Sequence, residues 1–346
     1  MSDKVAVVIL NYNGKEFLEK FLPSVVKFSS DHKIIVADNA STDDSVPFLK
    51  NNFQSIHIVE NKNNSGFAQG YNEALRHVKA EYYVLLNSDV EVSEGWINKV
   101  IALMERDPNI AACQPKILDF KNRSKFEYAG ASGGFIDKYG YPFCRGRVFN
   151  SLEEDEKQYE NAVEVFWATG ACMFVRSEAF WEVGGFDDDY FAHMEEIDLC
   201  WRLKNIGYSI YVEPESVVYH VGGGTLNKNS PRKTFLNFRN NLTTLTKNHP
   251  GGILFIKVLY RMILDGIAAF KFLLDGQPNH FFAVIKAHFA FYGWLGKTLE
   301  KRKKMKMHPK FRYSMRAVYN GNIVVEHFLM RRTKFSQLTQ SAFLNE

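Results

Sequence analysis

The residues best suited to chemistry are carboxylates placed where strands should end. The apolar run Tyr82–Leu86 stops abruptly at Asn87-Ser88-Asp89. A carboxylate at the end of a parallel strand lies in the crevice where α/β sheets bind ligands. With a nucleotide diphosphate supplying further oxygens, Asp89 suits a hard divalent cation such as Mg2+ or Mn2+. The plain alternative is a strand stop, because Asn, Ser and Asp are all common turn residues.

A second group of acids lies in the stretch Gly184–Asp198. Helical spacing from residue 195 puts Glu195, Asp198 and Arg202 on one face, so that Asp198 pairs with Arg202 while Glu196 points elsewhere. A carboxylate held beside a metal-bound diphosphate can take the proton of an attacking hydroxyl. An acidic helix start favoured by the macrodipole explains the same run. Val217–His220 ends in an imidazole followed by Gly222-Gly223-Gly224-Thr225, which suits a metal ligand with a lid behind it, or an ordinary structural histidine.

Two further loops complete the set. Leu10-Asn11-Tyr12 offers a ring to stack on, and Asp38 can accept from a base imide N–H; an N-cap at Asp38–Ser41 and a core-edge aromatic are the plain readings. Asn61–Asn72, with Asn64 and Gly66, is a polar turn running into a helix whose first N–H groups can face phosphate or sugar hydroxyls. No G-x-G-x-x-G follows the first strand, which counts against a nicotinamide enzyme.

The elements that must position these residues alternate. Val5–Leu10 reads as a buried strand and Lys15–Phe28 as an amphipathic helix, followed by strand Lys33–Ala37, helix Ser41–Asn51, strand His57–Glu60, helix Gly66–Val78 and strand Glu81–Leu86. Such alternation predicts a doubly wound, mostly parallel, Rossmann-like α/β sheet. Trp96–Arg106 reads as a helix and Ile110–Leu118 as a strand, whereas 119–160 reads as an irregular insertion of the kind that forms substrate loops. Val163–Val175 reads as a strand pair, Ala179–Val183 and Glu195–Ile206 as helices, and Ser209–Val212 with Val217–His220 as two strands.

The character changes after residue 245. Gly252–Leu274 and Phe281–Leu299 read as long apolar helices, with Lys257, Arg261 and Asp265 at i, i+4, i+8 on one face. This extension, 246–346, is expected to pack on the catalytic part, 1–245, to lie on a membrane surface, or to bury its apolar face in a homodimer. The lysine- and arginine-rich run 297–312 favours an anionic membrane, which attracts each such charge by about 1 kcal/mol. A net charge of +4 is too mild to argue for nucleic acid. Four separated cysteines form no CxxC pair, so neither zinc site nor disulfide framework is suggested, and a reducing cytoplasm fits. The first apolar run is too short for a signal peptide.

The ordered set Asn-Tyr-Asn, Val-Ala-Asp-Asn-Ala-Ser-Thr-Asp, Asn-Ser-Gly-Phe-Ala-Gln-Gly-Tyr-Asn, Leu-Leu-Asn-Ser-Asp-Val, Thr-Gly-Ala-Cys-Met-Phe-Val-Arg, Val-Gly-Gly-Phe-Asp, Glu-Glu-Ile-Asp-Leu-Cys-Trp-Arg and Val-Tyr-His-Val-Gly-Gly resembles family 2 inverting glycosyltransferases of the GT-A fold. The closest likeness is to the rhamnosyltransferase-like branch, over residues 4–245. The resemblance implies a nucleoside-diphosphate sugar donor (UDP- or dTDP-linked), Mg2+ or Mn2+, and single displacement onto a hydroxyl of a glycan or lipid-linked acceptor in cell-surface polysaccharide synthesis. It implies that Leu10, Asn11, Tyr12 and Asp38 hold the base. Asn64, Gly66, Ser88 and Arg239 line the nucleotide, and Asp89 and His220 ligate the metal. Trp167, Thr169 and Gly170 form the acceptor floor. Glu196 falls at the base position, usually Asp in this family, which leaves Glu195 as its competitor. Cysteine usage, the short first apolar run and the basic C-terminal helices give a cytoplasmic location, peripheral on the inner face of the cell membrane, as the expectation.

Two other classes compete. A sugar-nucleotide nucleotidyltransferase would open on a Gly-rich phosphate loop bearing Arg and Lys, which Asn11–Lys15 is not. A non-catalytic carbohydrate- or membrane-binding module would release no nucleoside diphosphate.

Overall fold

A computed structural model describes residues 3–222 and 230–345. The chain starts with β1 (Asp3–Asn11), α1 (Lys15–Phe28), β2 (Lys33–Asp38), α2 (Ser45–Asn52), β3 (His57–Glu60), α3 (Gly66–Leu75) and β4 (Ala80–Asn87). β-Branched Val5, Val7, Val8 and Ile9 are buried on both faces of β1, as a central parallel strand requires. In α1 the helical period brings Leu18, Phe21, Leu22 and Val25 inward. α2 begins later than its Ser41 cap signal suggests. The side chain of Asn13 accepts from the backbone N–H of Thr42 at 2.7 Å and Asp43 accepts from that of Ser45 at 3.0 Å, which holds the residues between in a turn.

β5 (Val90–Val92), α4 (Trp96–Arg106) and β6 (Ile110–Asp119) follow. The insertion then forms β7 (Gly134–Asp137), β8 (Pro142–Cys144), β9 (Arg147–Val148) and β10 (Ser151–Leu152), where irregular chain was expected. Strands this short leave no readable period in sequence. Beyond them are β11 (Val163–Val165), β12 (Cys172–Arg176), α5 (Ser177–Glu182), α6 (Glu195–Lys204) and β13 (Ser209–His220). The two strands expected at 209–220 are one strand with a register shift between Glu213 and Val217, where Pro214 lacks a ladder N–H.

The main sheet runs β11-β13-β6-β12-β4-β1-β2-β3, with β5 pairing β13. β1, β2, β3 and β4 are parallel, and β12 is antiparallel between β4 and β6. This is a mixed, mostly parallel α/β sheet with its ligand-bearing loops at the carboxyl ends of β1, β2 and β4.

The C-terminal part adds α7 (Pro231–Asn248), α8 (Leu254–Leu274), α9 (Pro278–Lys306) and β14 (Val318–Tyr319). Sequence reading left α7 unassigned. β14 pairs in parallel with β7 and completes a second sheet, β10-β9-β8-β7-β14, over a cluster that includes Phe135, Phe143, Phe335 and Phe343. Much of the basic run is used internally. Lys301 pairs with Asp187 and Asp189, Lys297 with Asp189, and Arg302 donates to the carbonyls of Thr246 and Lys247.

Candidate active site

Pairing between β5 and β13 builds the centre. The chain leaves β4 at Asn87, turns through Ser88 and Asp89, and enters β5, whose Val90 stands opposite His220 in the ladder. That register brings His220 Nε2 to 3.1 Å from Asp89 Oδ1, and the backbone N–H of Val221 donates to the Asp89 carbonyl. The other ring nitrogen, Nδ1, lies 3.2 Å from Glu127 Oε2. Burial penalises the His220 imidazolium, but the carboxylates of Asp89 and Glu127 outweigh it and raise the pKa to about 10. All three side chains are buried, and such a concentration of charge marks functional sites.

These residues fit a hard divalent cation. A cation arriving at Asp89 would displace the proton of His220 Nε2, leaving an imidazole whose remote nitrogen is backed by a second carboxylate, as around metal-bound histidines. Among the described residues no group of three or more His, Cys, Asp or Glu could hold a metal ion by itself. A cation held here would have to draw its remaining oxygens from substrate and water.

The loop ends of β1 and β2 are tied together. Asn11 Nδ2 donates to Asp38 Oδ1 at 3.1 Å, and the Ser41 backbone N–H donates to Asp38 Oδ2 at 2.8 Å. An ionised carboxylate has about four acceptor sites, so Asp38 keeps capacity for a base N–H. Tyr12 is 36% exposed, which leaves a ring face open for stacking. Asn64 is committed to structure: its side chain accepts from Asn39 at 3.0 Å and from the Gly66 N–H at 3.1 Å. Gly66 has φ +85°, and a Cβ there would lie 2.3 Å from the Phe191 carbonyl. The α3 turn is thereby closed on the segment that leads to α6, and the Phe67 N–H donates to that carbonyl at 2.7 Å.

That segment ends in two successive left-handed residues, His193 with φ +71° and Met194 with φ +73°. Such residues cost about 1–3 kcal/mol each unless the surroundings fix them. Asn240 of α7 does so, donating to the carbonyls of Ala192 and His193 at 3.0 and 2.8 Å. Glu195 and Glu196 follow at once, each with one carboxylate oxygen that is buried and unpartnered. Burial lifts Glu196 to about 7, against the backbone N–H groups of the helix start, which favour its charge. Glu195 is pushed well above the ordinary carboxylate range, first by burial and then by the Glu196 charge. The environments therefore differ: burial raises both, and the Glu196 charge raises Glu195 further. The expected ion pair of Asp198 with Arg202 is present at 2.8 Å.

Between these groups runs the segment before β12. The Asn87 N–H donates to the Ala171 carbonyl at 3.0 Å, and the Ala168 N–H reaches Cys200 Sγ of α6 at 3.5 Å. Thr169 is buried and receives its support from Gln114, and Gly170 packs against the Phe67 ring. Trp167 is buried over Gly134 and donates its indole N–H to the Phe135 carbonyl. Arg239 stacks on Trp294, its guanidinium 4.0 Å from the ring centre, and forms no salt bridge among the described residues. Ser88 is half-buried beside Gly14. The glycine run at Gly223 and Gly224, with Thr225, lies outside the described residues. Sequence reading missed Glu127, the Asn240 clamp and Gln114, whose partners at the site, His220, the Ala192 and His193 carbonyls and the Thr169 N–H, are distant in the chain.

The family model for glycosyl transferase family 2 matches residues 6–184. An N-acetylglucosaminyl-diphospho-decaprenol L-rhamnosyltransferase of Mycobacterium tuberculosis is 27% identical over 65% of this chain and 78% of its own length. The rhamnosyltransferase WbbL of Escherichia coli is 27% identical over 62% of this chain and 83% of its own. Two solved structures share the fold. GalNAc-T7 with UDP, GalNAc and Mn2+ has a TM-score of 0.56 at 16% identity, covering 71% of this chain and 48% of that one. The mannosyltransferase PcManGT of Pyrobaculum calidifontis with GDP-Man and Mn2+ has 0.53 at 15%, covering 90% of this chain and 85% of that one. The nine-stranded sheet, the carboxylates at its strand ends and these matches together place the chain in glycosyl transferase family 2, in its rhamnosyltransferase-like branch, on a GT-A fold.

Proposed function

We propose that the chain transfers a sugar, with inversion, from a UDP- or dTDP-sugar to a hydroxyl of a glycan or lipid-linked acceptor, at the cytoplasmic face of the membrane. The observation that carries this reading is the split pair Glu195 and Glu196, in which one carboxylate is ionisable near pH 7 and has a buried, unpartnered oxygen. The acceptor oxygen attacks the anomeric carbon, its proton passes to Glu196, and the bond from that carbon to the diphosphate breaks as the nucleoside diphosphate leaves. One base suffices for a single displacement.

Tyr12 stacks on the base, Asp38 accepts from it, and Leu10 and Asn11 close its pocket. Gly66, Asn64 and Ser88 border the donor, and Arg239 faces the diphosphate. Asp89 and His220 would hold Mg2+ or Mn2+, which as a Lewis acid neutralises charge on a leaving diphosphate. Trp167, Thr169 and Gly170 support the acceptor side. The decaprenol-linked sugar diphosphate in the name of the M. tuberculosis relative supports a lipid-linked acceptor here. In this division residues 1–245 carry the chemistry and 246–346 serve as a helical extension.

The test is release of nucleoside diphosphate from a panel of UDP-, dTDP- and GDP-sugars with Mn2+ or Mg2+, using wild type, Asp89→Ala and Glu196→Gln. Release that drops in both variants is expected. Undiminished turnover in both would sink the mechanism.

A further inference from the structure

Helix α8 is inside out. Three of its ionic residues face the protein: Arg261 and Asp265 are buried, Arg261 donates to the Tyr139 carbonyl at 2.8 Å, and Lys257 donates to the Lys138 carbonyl at 2.9 Å, whereas Lys271 in the last turn is exposed and paired with Asp275. Its exposed positions from 254 to 270 are apolar instead. Phe255, Ile256, Leu259, Ile263, Ile267 and Phe270 are each 56–67% exposed. Spacings of three and four keep them on one side of the helix. Leu274, at the turn into α9, is 88% exposed. Soluble proteins rarely leave so continuous an apolar surface in water.

The neighbouring helix says what covers it. α9 exposes Phe282, Ile285 and Phe289 over its first half, with Lys286 exposed among them and in no ion pair among the described residues. Positions 282, 289 and 303 recur at multiples of seven and so share a face. That face accordingly passes from Phe282 and Phe289 to exposed Lys303, with Lys304 beside it. A second copy of the chain meeting this surface would set lysine against lysine. An anionic headgroup layer complements the lysines, whose stems lie along apolar surface while their ammonium groups reach the phosphates. No described helix is long and apolar enough to cross a membrane, so the surface fits a helix pair lying in the interface plane.

We propose that the exposed faces of α8 and α9 form an interfacial docking surface for an anionic phospholipid bilayer. Apolar residues of α8 enter the acyl boundary, and Lys286, Lys303 and Lys304 bind the headgroup layer. The inference stands independently of the donor assignment. It replaces the whole basic run 297–312 as the membrane contact, because Lys297, Lys301 and Arg302 are engaged within the protein.

The experiment is flotation of the full chain with phosphatidylcholine vesicles with and without phosphatidylglycerol, with light scattering and nucleoside diphosphate release from a sugar donor read on the same samples. Flotation with phosphatidylglycerol vesicles is expected. Leu259→Glu combined with Ile263→Glu should cut the bound fraction about tenfold or more, with unchanged melting and donor turnover, because both positions are exposed. Lys286→Glu should reduce flotation only where phosphatidylglycerol is present. In Leu259→Trp, indole fluorescence should be quenched by brominated lipid. Absence of flotation at low salt overturns the proposal. So does a dimer that Ile263→Glu makes monomeric while vesicles capture neither form. Flotation that persists while no sugar donor is turned over supports the docking surface and counts against the proposed function alone.

Discussion

Glu127 Oε2 lies 3.2 Å from His220 Nδ1, on the side of the ring away from Asp89. A carboxylate in that position fixes the ring's orientation and raises the basicity of the other nitrogen. Glu127 is itself fixed, since it accepts from the Ala129 N–H at 2.5 Å.

Glu127→Gln is therefore expected to weaken Mn2+ binding about 10–100-fold, the range found for such supporting partners. Calorimetric titration of Mn2+ with a nucleoside diphosphate present measures it, without reliance on turnover. Equal affinity in the variant and the wild type would remove Glu127 from the site.

The raised pKa of Glu196 sets a pH profile for the reaction. The base acts when deprotonated, so kcat/KM should rise with pH and reach half its limit near the value of about 7. Glu196→Gln should lose about 10²–10⁴-fold in kcat, the usual worth of a positioned base. A profile already flat below pH 6 would exclude this carboxylate.

The same shift has a stability consequence of opposite sign. A carboxyl whose folded pKa is about 7, against an ordinary 4.5, binds more protons folded than unfolded between those values. Its contribution is fully present below the lower value and is lost as pH rises through the higher one. Glu196→Gln should accordingly melt higher than wild type at pH 8 and much the same at pH 4, by scanning calorimetry.

Asn240 holds the strained turn that presents Glu195 and Glu196. Asn240→Ala leaves two carbonyls without their donor, which costs about 1–3 kcal/mol for a buried group. Urea unfolding should show that loss. The kcat should fall, because the turn carries the base. A variant whose kcat matched wild type after equal destabilisation would make the clamp purely structural.

Asp187 is held well below the ordinary carboxylate range: burial works against its charge, but Lys247 and Lys301 outweigh it. Its stabilisation is present above about 3.8 and lost as pH falls through the depressed folded value. Lys301→Met should flatten the acid limb of the stability curve, measured by urea midpoints in that window.

Local pattern determined the first half of the fold by itself. Lys15–Phe28, His57–Glu60 and Trp96–Arg106 match their observed bounds, because each carries a full period of buried side chains or lies between clear breakers. The strand-end positions of Asp38, Asp89 and His220 were legible for the same reason. Tertiary structure alone decided what those residues meet. Glu127 comes from an insertion whose strands are too short to carry a period, and β14 reaches β7 across most of the chain. The charges at Lys257, Arg261 and Asp265 were visible as one face, yet which side of α8 turns inward was not. Periodicity fixes which residues share a face, whereas the partners already buried on the protein, here the carbonyls of Lys138 and Tyr139, decide where that face points.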